Sequence, residues 1–187
     1  MDTKKLQHIK IAIIATDGFE QSELTEPKRL LEKAGAAVDV IAPEGDEIKG
    51  WEHADWGGKV KVDVTLDKAD ASRYDAIVIP GGVINPDKLR LDRRAIDFIR
   101  QFAAQSKPIA AICHGPQMLI EADLVRGRQV TSWLSLQTDL KNAGAQWHDR
   151  EVVLDGNLIT SRKPDDIPAF VAALSSTLAL QEHRKAS

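Results

Sequence analysis

Residues 108–116 read Pro108-Ile109-Ala110-Ala111-Ile112-Cys113-His114-Gly115-Pro116, an unbroken apolar run that stops at a cysteine. Continuous rather than alternating hydrophobicity is the pattern of a strand buried on both faces of a parallel sheet. Pro116 suits an early helical position, where its missing N–H would be unpaired anyway. The chain is therefore expected to turn from strand to helix just after Cys113. Three further runs, Ile9–Ala15 (IKIAIIA), Val38–Ala42 (VDVIA) and Asp75–Pro80 (DAIVIP), are likewise short, apolar and rich in β-branched residues.

Helix-period segments alternate with these runs. Leu24–Ala34 reads as a helix closed by Gly35, with Pro27 in its first turn or at a kink. Asp92–Gln105 places Ile96, Ile99, Phe102 and Ala103 on one face, and Asp92 favours its N-terminal end. Another helix follows Cys113 through Met118, Leu119 and Ala122. Ser135–Asn142 suggests one ending at Gly144, and Asp165–Ala179 one that buries Phe170, Leu174 and Leu178. Strands alternating with helices specify an α/β fold with a mostly parallel sheet. Two stretches depart from that rhythm. Lys59–Leu66 (KVKVDVTL) alternates strictly and reads as a half-exposed strand, while Glu151–Thr160 carries Asp155-Gly156-Asn157 between apolar runs, a hairpin signal. The closing QEHRKAS reads as a frayed tail. No repeat or linker interrupts the chain, so one domain is expected over 1–187, with its core at about 9–180.

Composition narrows the function classes. The 187 residues are 43% hydrophobic and 28% charged, ordinary for a soluble globular protein. A net charge of −3 gives no reason to expect nucleic acid or an anionic membrane as partner. No apolar stretch has the length of a membrane span, and MDTKKLQHIK lacks the apolar region of a signal peptide. A single cysteine forms no internal disulfide, which suits a cytoplasmic location.

The turn at Cys113 has the layout of a nucleophile elbow, with cysteine in place of serine. A thiolate there gains from the helix dipole and from free backbone N–H groups, both of which lower the thiol pKa. Gly115 leaves room where strand, turn and helix crowd together. A lone free cysteine is more often a small core residue, but a core cysteine does not need His-Gly-Pro after it. Pro80-Gly81-Gly82 ends the preceding strand at the same sheet edge, where open α/β sheets bind ligands. Gly82 N–H and His114 N–H can form an oxyanion hole there, or the glycines serve only a tight turn. Asp17-Gly18-Phe19-Glu20 follows the first strand at that edge. A carboxyl in it can hydrogen-bond the sulfur, or simply favour a helix N-terminus.

Other signals fail. Gly50–Lys59 (GWEHADWGGK) lacks the glycine and hydroxyl positions of a phosphate loop, and His53 with Glu52 and Asp55 matches no metal spacing. An exposed loop packed by Trp51 and Trp56 is the expectation. There is no GxGxxG for a dinucleotide.

Taken together, AICHGPQ (111–117), PGG (80–82), FE (19–20), GRQVTSW (127–133), NAGAQW (142–147) and REVVLDGNLITSR (150–162) resemble the ThiJ/PfpI (intracellular protease I) family, from about Ile9 to Leu178. The resemblance implies a flavodoxin-like three-layer sandwich with no cofactor or metal. It implies Cys113 as nucleophile, His114 beside it, Glu20 as the acid touching the sulfur, and Gly82 and His114 as oxyanion-hole amides near Gly81 and Gly115. Trp133 takes the place of a pocket-lining aromatic. An acid borrowed from a neighbouring subunit orients the histidine in this family. PGGVINPD puts Asp87 near that position, one residue further along than the pattern PGG-x-x-P-[DE]. A homodimer or a hexamer is implied with it. His148 and Glu151 invite a triad with the cysteine, but the family's pattern puts His148 in a variable surface position and Trp147 in packing.

Three activities are compatible with the resemblance. The first is a stress-protective, cysteine-dependent enzyme for reactive carbonyls, either a glutathione-independent glyoxalase or a deglycase of glycated protein or nucleotide. The second is an intracellular peptidase using Cys113, His114 and Asp87, disfavoured because neighbouring side chains diverge. The third is a redox sensor or chaperone with an oxidisable Cys113.

Overall fold

A computed structural model describes residues 6–185. The chain begins with β1 (Lys10–Ile14), β2 (Phe19–Glu20), α1 (Gln21–Lys33) and β3 (Ala37–Ala42). The pair β4 (Glu47–Glu52) and β5 (Asp55–Lys61) follows, then β6 (Val64–Thr65), β7 (Ala76–Ile79), α2 (Ile84–Leu89) and α3 (Arg93–Ala104). Next come β8 (Ile109–Ile112), α4 (Pro116–Glu121), β9 (Gln129–Val130), α5 (Gln137–Asn142) and β10 (Gln146–Trp147). The hairpin of β11 (Val152–Asp155) and β12 (Leu158–Ser161) leads into α6 (Ile167–Lys185).

The apolar runs are continuous because each strand feeds two cores. In β1, Ile11 and Ile13 pack to one side with Leu24 and Leu31 of α1 and Phe170 of α6. Ala12 and Ile14 pack to the other, with Ile96 and Phe102 of α3 and Leu119 of α4. The main sheet has the order β11-β12-β8-β7-β1-β3-β6, antiparallel only between β11 and β12. Its parallel strands β3-β1-β7-β8-β12, numbered as they come along the chain, lie in the order 2-1-3-4-5 of flavodoxin-like sheets. The expected three-layer α/β sandwich is the fold found. These strands all run parallel and the order in which they are added reverses at β1, so the loops after β1, β7 and β8 gather at one edge.

Local boundaries mostly follow the sequence signals. Asp92 caps α3, its carboxylate accepting from Arg94 N–H at 2.9 Å, and Gly35 and Gly144 close their helices with φ of 100° and 90°. Four expectations need correction. α1 starts at Gln21 rather than Leu24, and Pro27 lies inside it. Lys59–Leu66 is not one strand: Lys59–Lys61 pairs with β4 in a small sheet, whereas Val64 and Thr65 pair with β3 in the main one. The break falls at Asp63, whose N–H donates to Val40 O and whose carboxylate accepts from Val40 N–H, both at 2.9 Å. Residues 50–59 form the β4–β5 hairpin rather than an irregular loop, with Trp51 and Trp56 as an edge-to-face cross-strand pair 5.6 Å apart. α6 continues through Gln181–Lys185, so the reading of QEHRKAS as frayed holds at none of these positions, while Ala186 and Ser187 lie outside the described residues. Among the described residues no helix is long and apolar enough to cross a membrane.

Candidate active site

At the end of β8 the backbone reverses at Cys113, whose φ of 61° is a left-handed value unusual for a residue with a Cβ. Cys113 N–H donates to Ser161 O (3.1 Å), its carbonyl accepts from Trp133 N–H (2.9 Å), and Gly115 N–H donates to Ile112 O (2.8 Å). These bonds hold the strained residue in place. A Cβ at Gly115 would lie 2.4 Å from Ile79 O, and one at Gly81 2.7 Å from Cys113 Cβ, so both glycines are required by space. The PGG loop is braced by a residue that the motif reading passed over. Asn85, fully buried, donates to Pro80 O (3.0 Å) and Gly81 O (3.2 Å) and accepts from Thr16 N–H (2.8 Å). A polar residue at the second position of α2 gives no pattern to notice.

The acid beside the sulfur is Glu23, not Glu20. Glu20 is the N-cap of α1, and its carboxylate accepts from Ser22 Oγ at 3.4 Å rather than touching the thiol. Glu23, in the first helical turn, is fully buried; its Oε2 accepts from Gly81 N–H at 2.8 Å, and its carboxyl lies beside the Cys113 thiol. A glutamate there commonly folds back to its own N-cap. In this chain it is diverted across the sheet edge, and Glu20 N–H donates to Gly81 O instead (3.3 Å).

Electrostatics follow from burial. Desolvation lifts the Glu23 carboxyl to about 8, against the stabilising bond from Gly81. Desolvation also drives the Cys113 thiol well above its ordinary value, and the Glu23 charge adds to that; the Gly82 and His114 backbone N–H groups act the other way. The expected lowering by a helix dipole is outweighed, because α4 has only six residues and the thiol is 7% exposed. A Glu23 proton can therefore be held next to the sulfur at neutral pH. Burial likewise holds the His114 imidazole below its ordinary value. His114 Nδ1 lies 3.3 Å from Cys113 Sγ and Nε2 3.3 Å from Ser135 Oγ, so the two neighbouring side chains converge rather than diverge. Trp133 stacks on the imidazole, 6.3 Å between ring centres and 27° between planes.

A cavity of about 490 Å³ opens above the thiol, lined by Glu20, Glu23, Trp51, His53, His114 and Trp133 among others. Gly82 also borders it. Trp51 and His53 arrive on the β4–β5 hairpin, which the sequence reading had set aside. Asp87 does not line the cavity; it is exposed on α2. His148 is part-buried with its Nε2 enclosed and without a hydrogen-bond partner, so it is not the surface residue expected. Trp147 does pack, donating to Ser132 Oγ at 3.0 Å.

Over 163 residues the chain is 45% identical to Protein/nucleic acid deglycase 2 of Escherichia coli, covering 86% of this chain and 92% of that protein. It is 40% identical over 163 residues to Deglycase PfpI of Pyrococcus furiosus, covering 87% and 95%. Among solved structures it superposes with a TM-score of 0.86 and 40% identity on a two-domain protein from Anabaena variabilis that contains DJ-1/ThiJ/PfpI-like and ferritin-like domains, matching 91% of this chain and 48% of that one. The DJ-1/PfpI family model matches residues 9–177, and the chain belongs to that family.

Proposed function

We propose that the protein is a cysteine-dependent hydrolase that removes reactive-carbonyl adducts, with Cys113 as nucleophile. The observation that carries this reading is the buried pair of thiol and carboxyl beneath a cavity, with the Gly82 and His114 backbone N–H groups favouring charge on the sulfur. The Cys113 sulfur adds to the carbonyl carbon and a hemithioacetal forms, Glu23 giving its proton to the carbonyl oxygen and taking the thiol's in exchange. The Gly82 and His114 N–H groups stabilise the charge that develops on that oxygen; the carbon–nitrogen bond of the aminocarbinol adduct then breaks, its hydroxyl proton passing to the departing guanidine as the aldehyde re-forms, and reversal of the hemithioacetal through Glu23 frees the dicarbonyl and the thiol. Free methylglyoxal fits the same chemistry as a glyoxalase substrate. Relatives named as deglycases support the adduct reading. The test uses methylglyoxal-modified Nα-acetyl-arginine in amine-free buffer, following the return of free guanidine by chromatography. Wild type accelerates recovery and Cys113→Ala does not; recovery at the buffer rate with wild type overturns the reading.

The 3.3 Å contact between Cys113 and His114 favours a second reading, a peptidase in which His114 takes the thiol proton. In that scheme Asp87, exposed on α2, orients His114 of a neighbouring subunit within a homodimer or larger ring. Turnover of a fluorogenic peptide that falls in Asp87→Ala, with thermal stability unchanged, supports it. The oxidation-sensor reading gains no support from a thiol whose proton burial retains.

A further inference from the structure

The thiol machinery forms one wall of the cavity, and a second wall has no part in it. That second wall is the β4–β5 hairpin with the N-terminus of α1, and it presents Trp51, His53 and Glu20 to the space above Cys113. Trp133 lines the same cavity. The hairpin is seated deliberately. Gly18 N–H donates to Lys49 O (2.8 Å), Lys49 N–H donates to Asp17 Oδ1 (2.7 Å), and Phe19 pairs with Gly50 in parallel. The Gln21 side chain fills the space that a Cβ would need at Gly50 and at Gly57, 2.1 and 2.6 Å from its Oε1.

We propose that Glu20 is a specificity-determining residue, selecting substrates whose carbonyl adduct is carried on a cationic nitrogen, a guanidine or a basic amine. The inference rests on the deglycase reading for its substrate and on cavity geometry for its site. Glu20 is the carboxylate of that wall free of the thiol, since its bond is to Ser22. The charged groups that act on it are His53, which offsets its charge, and Glu52, which reinforces it, while Glu23 lies beyond it toward the sulfur. Two tryptophans flank the same space, and indole faces attract cations while covering an aliphatic stem. Deeper in, the buried Glu23 Oε1 has no geometrically satisfied partner and borders the same cavity. An arginine or lysine side chain threaded between the tryptophans brings an adduct to Cys113 and its charged nitrogen past Glu20. Adducts on thiols or on neutral nucleobase nitrogens carry no such charge.

The chain has a single cysteine, so Cys113 itself reports the field of the cavity. The full-length protein is treated with 2-aminoethyl methanethiosulfonate, a cation, and with its neutral 2-hydroxyethyl analogue. In each reaction the thiolate displaces methanesulfinate and forms a disulfide, so the ratio of the two rates cancels the thiolate fraction. In Glu20→Gln the cation-to-neutral ratio is expected to fall about fivefold, which corresponds to about 1 kcal/mol. Glu20→Asp, which keeps the charge, restores most of the ratio. A ratio in Glu20→Gln within about twofold of wild type, with circular dichroism showing a folded variant, overturns the proposal. So does a wild-type ratio that does not fall when salt is raised, a measurement that needs no variant. The readout is independent of turnover. A ratio that falls in Glu20→Gln while wild type clears no adduct retains the recognition site and rejects the deglycase, and the reverse pattern does the opposite.

Discussion

Replacing Glu23 by glutamine should make the protein more stable, and increasingly so as the pH rises. Glu23 is fully buried, and burial lifts its carboxyl from 4.5 to about 8. Between those values the folded protein keeps a proton that the unfolded chain has released, so stability is lost as pH rises through the window. The slope is about 1.4 kcal/mol per pH unit, which accumulates to a loss of about 5 kcal/mol above pH 8. Glutamine has nearly the same shape and can still accept from Gly81 N–H, but it does not titrate. Wild type and Glu23→Gln should thus be close at about pH 5, with the variant ahead by about 3 kcal/mol near pH 7. The Cys113 thiol does not confuse the comparison, because its unfolded value of 9.0 lies above the window and its folded value higher still. Urea denaturation of both proteins at several pH values measures the gap directly. A gap that stays constant across the window would refute the buried, proton-retaining carboxyl and, with it, the proton donor of the proposed mechanism.

Three further outcomes test the frame around the site. Gly115→Ala presses a Cβ to 2.4 Å from Ile79 O and 2.9 Å from Ile112 O, both backbone, and should cost roughly 1–3 kcal/mol in urea unfolding; an unchanged midpoint would mean that the elbow is not tight there. Gly50→Ala should destabilise wild type by about 1 kcal/mol or more yet be much milder in Gln21→Ala, where the occupant of its space is gone, and strictly additive effects would dismiss the Gln21 slot. His114 is held below its ordinary value of 6.5, so the unfolded chain takes up that proton first and stability falls as pH drops below about 6.5. His114→Asn should flatten that acid limb, and an identical slope in the two proteins counts against a buried neutral imidazole.

The sheet was legible because burial on two faces leaves a strong trace. Ile11–Ala15 and Ile109–Ile112 are apolar without a break, and only strands sandwiched between helices tolerate that. The helix faces were legible from Ile96, Ile99 and Phe102 for the same reason. The hairpin was not. Its outer strand, β5, is largely exposed, so DWGGKVK has no apolar face to declare itself before Val62. The pairing of Trp51 with Trp56 depends on a register that turn residues Glu-His-Ala-Asp do not announce. The cavity wall carrying Trp51 and His53 was lost with it.

The exchange of Glu20 for Glu23 has a more specific origin. Glu20 is what the family resemblance implies, and periodicity offers no counter-signal: it dates a helix from its first buried residue, Leu24, and a helix beginning there would put Glu23 outside it as a cap. The helix in fact begins at Gln21, because Glu20 can serve as N-cap through its backbone alone, with no side-chain cap bond to mark it. That shift moves Glu23 into the first turn, where helical side chains point back toward the N-terminus. There it meets Gly81 N–H, and any Cβ at Gly81 would stand 2.6 Å from its Oε2. Glu20, left in an extended segment, projects into the cavity instead. The glycine that could be recognised in sequence as a close-approach site was therefore the guide to the correct acid. What approaches Gly81 closely is Glu23, and the carboxyl that accepts from that amide also sits beside the sulfur.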